Sequence, residues 1–290
     1  MPKTQRQDPL KGLYKMSSDF QLVKLENNKR VVSENFADIL ADWQPGKECF
    51  LFVTPHDDDA ILGGGLMLDM ALANNIPVYI LCVTDGSAGY CTLEEKENII
   101  EVRAKETYDC YEAMGVPTDN IVWMGFPDGQ LSQYLGRREA KSGDPSPIQG
   151  YTGLVNSFVF NLRKIQPTRV FLPTNADLHP DHRATHSELL ISLFHAMGGI
   201  WPELGPSLPK LPSVYELGVY CDFPEPPQIQ LKSTPERLES KVNGILKFVS
   251  QTQIAALIEN VRKSGPYEYY RDLQFALYSP DTYHERFAEK

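Results

Sequence analysis

Four of the six histidines in this 290-residue chain fall in two short clusters that also hold aspartates. The first, Thr54-Pro55-His56-Asp57-Asp58-Asp59, closes the apolar run Cys49-Phe50-Leu51-Phe52-Val53. The second, His179-Pro180-Asp181-His182-Arg183-Ala184-Thr185-His186, comes shortly after Val170-Phe171-Leu172-Pro173. Imidazoles and carboxylates brought together from separate loops make a catalytic zinc site with an open position. Three consecutive carboxylates after a buried strand raise one another's pKa unless a cation offsets them. The competing explanation is a solvated acidic loop that caps a helix beginning near Gly64. His182 and His186 lie one helical turn apart and so share a face. His186 alone reads more readily as an ordinary helix histidine, and His195 and His284 read as structural.

The elements that must position these clusters alternate. Strands are expected at 49–54, 77–84, 121–124, 169–173 and 214–221. Helices are expected at 64–75, 93–114, 153–165, 182–197 and, as one long element, 236–263, with an amphipathic helix at 33–43 capped by Ser33. The strands are nearly continuous apolar runs, the pattern of strands buried on both faces of a parallel sheet. The fold class is therefore α/β: a Rossmann-like, open, mostly parallel sheet with helices on both faces, plus an N-terminal helical extension. Residues 1–47 form that extension, packed on the core, and 48–290 form a single domain. An aromatic-rich tail surrounds Tyr267, Tyr269, Tyr270 and Phe275. In such sheets ligands bind outside the carboxyl ends of the strands. The loops 56–65, 84–90, 125–129 and 175–182 should therefore open onto one crevice, with the loop after Cys221 nearby.

A formal charge of −10 argues against nucleic-acid or anionic-membrane binding. No apolar stretch is long enough to span a membrane, and residues 1–14 carry no signal-peptide core. Five scattered cysteines without Cys-x-x-Cys spacing read as reduced thiols in a cytoplasmic protein.

With His56-x-Asp58-Asp59 followed by His179-Pro180-Asp181-His182, the sequence resembles the zinc-dependent N-acetylglucosaminyl deacetylases typified by PIG-L and LmbE-like proteins. The resemblance runs from about residue 50 to 186. It takes in Thr84-Asp85-Gly86, Arg103, Glu106 and Gly125-Phe126-Pro127-Asp128-Gly129, and continues weakly to Ser250-Gln251. It implies that His56, Asp59 and His182 bind Zn2+, with Fe(II) or Co(II) fitting similar ligands. It further implies that Asp58 is the general base for a metal-activated water. His179, cationic and held by Asp181, would stabilise the oxyanion and help protonate the amine. Arg103 and Asp128 would contact sugar hydroxyls, or else pair with each other to brace two loops. The substrate would be a small N-acetylated sugar or conjugate, releasing acetate; a homo-oligomer is left open.

Three positions depart from the family pattern. Asp57 stands where Pro is usual, Ala60 where Glu is usual, and Asp177 where some relatives have a carbonyl-polarising Tyr. The first two motivate an alternative, a non-catalytic carbohydrate-binding protein that retains the metal site. A third reading, phosphate binding at Gly63-Gly64-Gly65, lacks the required glycine-lysine spacing. Those glycines more naturally allow a helix to approach the sheet closely.

Overall fold

Residues 15–26, 29–274 and 278–288 are described by the computed structural model. In chain order the strands are β1 (Gln21–Glu26), β2 (Lys29–Ser33), β3 (Phe50–Thr54), β4 (Val78–Thr84), β5 (Ile121–Phe126), β6 (Arg138–Glu139), β7 (Tyr151–Thr152), β8 (Arg169–Pro173), β9 (Ser213–Leu217), β10 (Ile229–Lys232) and β11 (Tyr267–Leu273). The helices are α1 (Phe36–Ile39), α2 (Asp59–Ala73), α3 (Ile99–Ala113), α4 (Leu154–Ile165), α5 (Pro180–Met197), α6 (Pro235–Ile245), α7 (Ile254–Ser264) and α8 (Pro280–Phe287).

Nine strands form one sheet in the order β2-β1-β10-β11-β9-β8-β3-β4-β5. From β9 to β5 every pairing is parallel. Beyond β9 the pairings to β11, β10, β1 and β2 are antiparallel, so only β11 and β1 run against the rest. The expected mostly parallel α/β sheet is present. Side chains on alternate sides of β3 feed two cores: Phe50 and Phe52 face the helices α2 and α6, and Leu51 and Val53 face α4 and α5. Helices therefore cover both faces.

The N-terminal helical extension needs correction. Among the described residues only one helical turn, α1, forms there, and its cap is Asn35, whose side chain accepts from the Ala37 amide. Ser33 instead bonds Asn35 and Asp38. Leu40 is extended, which ends the turn, while Trp43 stacks on Phe36 at 4.1 Å. Residues 21–26 join the main sheet through β10. The aromatic tail, too, is largely a strand: Tyr267, Tyr269 and Tyr270 belong to β11, and Phe275 lies outside the described residues, as does the polar stretch 1–14.

The long C-terminal helix is two helices, α6 and α7. Between them Glu106 accepts from the Ser250 amide at 2.7 Å and its hydroxyl at 2.8 Å, which holds the chain in a turn. Helix α2 is also irregular: Gly64 has φ −140° and ψ 16°. Past this kink the Leu66 and Met67 amides donate to the buried Glu268 carboxylate at 2.8 and 3.0 Å. The three glycines are packing residues. A Cβ on Gly63 would lie 2.5 Å from Leu217 Cδ1, and one on Gly64 2.8 Å from Phe52. They sit inside α2 and not in a phosphate-cradling loop at its start.

Candidate active site

Five strands of the parallel half, β3, β4, β5, β8 and β9, send their following loops to one cavity of about 560 Å³. The loops contribute His56 to Asp58, Gly86 to Tyr90, Asp128 and Gly129, Asp177 to Pro180, and Tyr220 with Cys221. This is the crevice expected outside the carboxyl ends of parallel strands. Arg103 reaches it from α3, and Gln251, Gln253 and Leu257 reach it from the α6–α7 turn and α7.

Asp58 is the N-cap of α2 and His179 that of α5, so the two clusters meet where two helices start. His56 Nδ1 lies 3.2 Å from His182 Nε2 and 3.4 Å from Asp59 Oδ2; His182 Nε2 lies 3.3 Å from the same oxygen. A tetrahedral ion with ligands at roughly 2.0–2.2 Å spans edges of about 3.3–3.6 Å. The triangle thus has nearly the dimensions of one face of a metal shell, and the buried Asp59 Oδ1 has no hydrogen-bond partner. Two wider groupings, His56–His179–His182 and His56–Asp128–Asp181, also keep their ligand atoms within 4.8 Å.

The electrostatics fit a cation site. Burial alone would raise the Asp59 carboxyl, but His182 and His56 hold it far below the usual range. Burial and the neighbouring Asp59 raise Asp58; burial and Asp58 push Asp57 up to about 7. Burial opposes charging of His182, yet Asp59 and Asp177 bring it up to about 9, and His56 is likewise raised by Asp59 and Asp128 against its burial.

Several expected partnerships are replaced by others. Asp181 does not hold the His179 ring through its carboxylate. That group accepts from the Gly129 and Leu131 amides at 2.7 and 3.2 Å and lies 3.8 Å from His56 Nε2. His179 Nδ1 instead accepts from the Asp181 amide at 3.3 Å. Burial and the nearby His56 and His182 lower the His179 pKa, so a cationic His179 is not what this setting favours. Arg103 and Asp128 do not pair. Arg103 faces Asp57 at 3.5 Å and donates to Tyr90 O and Gln251 Oε1, whereas Asp128 faces His56 Nε2 at 3.2 Å and accepts from the Ala88 amide.

Two contacts escaped the sequence reading. Asp177 lies 3.2 Å from His182 Nδ1 and accepts from the His179 amide, so it orients a proposed ligand. Gln251 donates to Asp58 Oδ2 at 3.1 Å while accepting from Arg103 at 2.9 Å. The Asp two residues before His179 was a usable signal for the first; for the second the weak resemblance at Ser250-Gln251 marked the residue but not its contact with Asp58. His186 pairs with Glu216 at 2.9 Å, and Arg271 joins the same carboxylate, which makes it a structural histidine. Ala60 is fully buried in the apolar core beside Ile61, where a Glu would be an unpaired charge.

Residues 51–192 match the family model described as PIG-L, GlcNAc-PI de-N-acetylase. The chain carries a PIG-L family domain. No curated protein matches it. Solved structures of similar fold include the conserved protein TT1542 of Thermus thermophilus, at 24% identity and TM-score 0.58, over 80% of this chain and 97% of that one. The N,N'-diacetylchitobiose deacetylase of Pyrococcus horikoshii aligns at 20% identity and TM-score 0.60, over 78% and 84%. GalB, the 4-carboxy-2-hydroxymuconate hydratase of Pseudomonas putida, aligns at 14% identity and TM-score 0.59, over 80% and 98%. At these identities the likeness is one of fold. No helix among the described residues is long and apolar enough to cross a membrane.

Proposed function

We propose that this PIG-L domain protein is a zinc-dependent hydrolase that removes acetyl from an N-acetylated amino sugar or its conjugate. The observation that carries the reading is the triangle of His56 Nδ1, Asp59 Oδ2 and His182 Nε2, with edges of 3.2 to 3.4 Å, at a cavity lined by Asp58. The de-N-acetylase description of the family supports the choice of reaction. Fold alone would not, since one neighbour is a hydratase. In this reading residues 48–290 are the one deacetylase domain. The described residues from 15 to 47 are an extension packed on it, and β1 and β2 add to its sheet. Free cysteines favour a cytoplasmic setting.

His56, Asp59 and His182 would hold a zinc ion, or another divalent transition metal, which would supply a Lewis acid to acidify water and polarise the acetamide carbonyl. Asp58 takes the proton from water as the water oxygen bonds the acetyl carbon, and returns it to the amine as the C–N bond breaks. Gln251 steadies Asp58 through the 3.1 Å bond to Oδ2. With Nδ1 accepting the Asp181 amide, neutral His179 carries its proton on Nε2, where it can donate to the developing oxyanion. Asp181 fixes the loop after β5 and the start of α5 together, and Arg103 and Asp128 stand as the sugar contacts. The products are acetate and a free amino sugar.

Protein stripped with a chelator should release no acetate from a panel of N-acetylhexosamine glycosides, and one equivalent of zinc should restore release. A zinc-loaded protein that leaves the whole panel intact overturns the proposal.

A further inference from the structure

Asp57 is the member of the carboxylate run that the metal triangle and the base leave without a role. It is 5% exposed and Arg103 is 1% exposed, and both line the cavity. Arg103 Nη1 and Asp57 Oδ2 stand 3.5 Å apart, beyond a good hydrogen bond. Neither atom has another hydrogen-bond partner, and neither has Arg103 Nε. The opposite side of the guanidinium is fixed, because Nη2 donates to Tyr90 O at 3.2 Å and Gln251 Oε1 at 2.9 Å. Loop glycines close in on it: a Cβ on Gly86 would lie 3.2 Å from Arg103 Cβ, and one on Gly89 3.1 Å from Nη2.

Resting on the deacetylase reading, we propose that Asp57 and Arg103 clamp one sugar hydroxyl, and that the site takes substrates uncharged at that hydroxyl, not phosphorylated ones. A hydroxyl can donate and accept at once. It gives its hydrogen to Asp57 Oδ2 and receives one from Arg103 Nη1, satisfying both buried atoms. An ionised phosphate oxygen cannot donate to Asp57 and is repelled by it. The surroundings act in the same direction. Asp58, Asp128 and Asp177 line the same cavity, and Arg103 is its only Lys or Arg among the described residues. Asp57 thus offsets the one guanidinium of a lining that also holds the His56 and His179 imidazoles.

The test uses the amine product, which is not turned over. Methyl β-glucosaminide, its 3-, 4- and 6-deoxy analogues and its 3-, 4- and 6-phosphates are titrated by calorimetry into zinc-loaded parent, Asp57→Ala and Asp57→Asn. One deoxy analogue should bind the parent roughly tenfold or more weakly than the full sugar, as expected for a hydrogen bond to charged groups. That penalty should fall below about threefold in Asp57→Ala. The phosphate ester of the same hydroxyl should gain on the order of tenfold, relative to the neutral sugar, in the nearly isosteric Asp57→Asn. Deoxy penalties and phosphate rejection unchanged in both variants overturn the clamp. Acetate release alongside unchanged penalties breaks the clamp alone. An intact pattern without acetate release breaks only the catalytic reading, and a parent that binds no member of the series overturns both.

Discussion

At Glu268 every carboxylate oxygen is engaged. Oε1 accepts from the Leu66 amide at 2.8 Å and Lys241 Nζ at 2.7 Å, and Oε2 from the Met67 amide at 3.0 Å and the Tyr270 hydroxyl. At the run Asp57 to Asp59 the burial is similar but the wiring is not. Asp57 Oδ2, Asp59 Oδ1 and two nitrogens of Arg103 have no hydrogen-bond partner, and the adjacent acids raise one another. Both clusters touch α2, one at its first turn and one past its kink. A buried charge that only holds a fold together is saturated, because an unsatisfied one costs stability. A buried charge kept for chemistry retains open valences, and the fold bears that cost.

The comparison breaks if single substitutions do not separate activity from stability. Asp58→Asn should lower acetate release by about 10²–10⁴-fold, the range for loss of a general base. Its metal-free thermal midpoint should stay equal to the parent's or rise. Burial and Asp59 raise the Asp58 pKa, so its charge is destabilising at neutral pH, and removing it relieves that strain. A clear fall in midpoint would place Asp58 among the structural charges. Glu268→Gln should do the reverse, costing about 3–5 kcal/mol in urea unfolding because Lys241 is left buried without its counter-ion. Turnover per folded molecule should stay within a few-fold; a collapse of turnover at full folding would show that Glu268 reaches the site. A smaller effect sharpens the contrast. His182 is raised to about 9 against its burial by Asp59 and Asp177, so the metal-free protein holds a proton there at pH 7. A metal needs the neutral ring, so zinc uptake should release about one proton or more, and affinity should climb between pH 7 and 9. Calorimetry in two buffers of different ionisation enthalpy reads this directly; identical heats would remove the proton from the account.

Much of the parallel half was legible because its strands are buried on both faces and read as unbroken apolar runs. Phe50 to Thr54 and Arg169 to Pro173 are fully buried. The antiparallel half was largely missed for the opposite reason. β10 is four residues, Ile-Gln-Leu-Lys, and β1 ends in exposed Leu25 and Glu26, so each carries only a brief alternation. The break between α6 and α7 was hidden because no proline stands at it, and the glycine beside it, Gly244, is still helical and packs against Ile61 and Met114. Glu106, from a distant helix, imposes the turn by capturing Ser250, a tertiary contact that overrides local propensity. Within the site, residue types and order were readable, but partner choice was not. Arg103 and Asp128 are each near the cavity, yet Arg103 turns to Asp57 and Asp128 to His56. Only the depth and direction of each loop decide that.

The turn that carries Gln251 has a consequence for how the site is assembled during synthesis. His56, Asp59 and His182 all lie in the first two-thirds of the 290 residues, whereas the brace on Asp58 arrives at residue 251 and the anchor of α2 at Glu268. A nascent chain therefore contains all three proposed metal ligands well before the residue that braces the proposed base is made. On the proposed reading, metal capture and catalytic competence would be separate events in the life of the polypeptide, and a chain that ends ahead of Ser250 would have the proposed ligands for the first and lack the brace for the second.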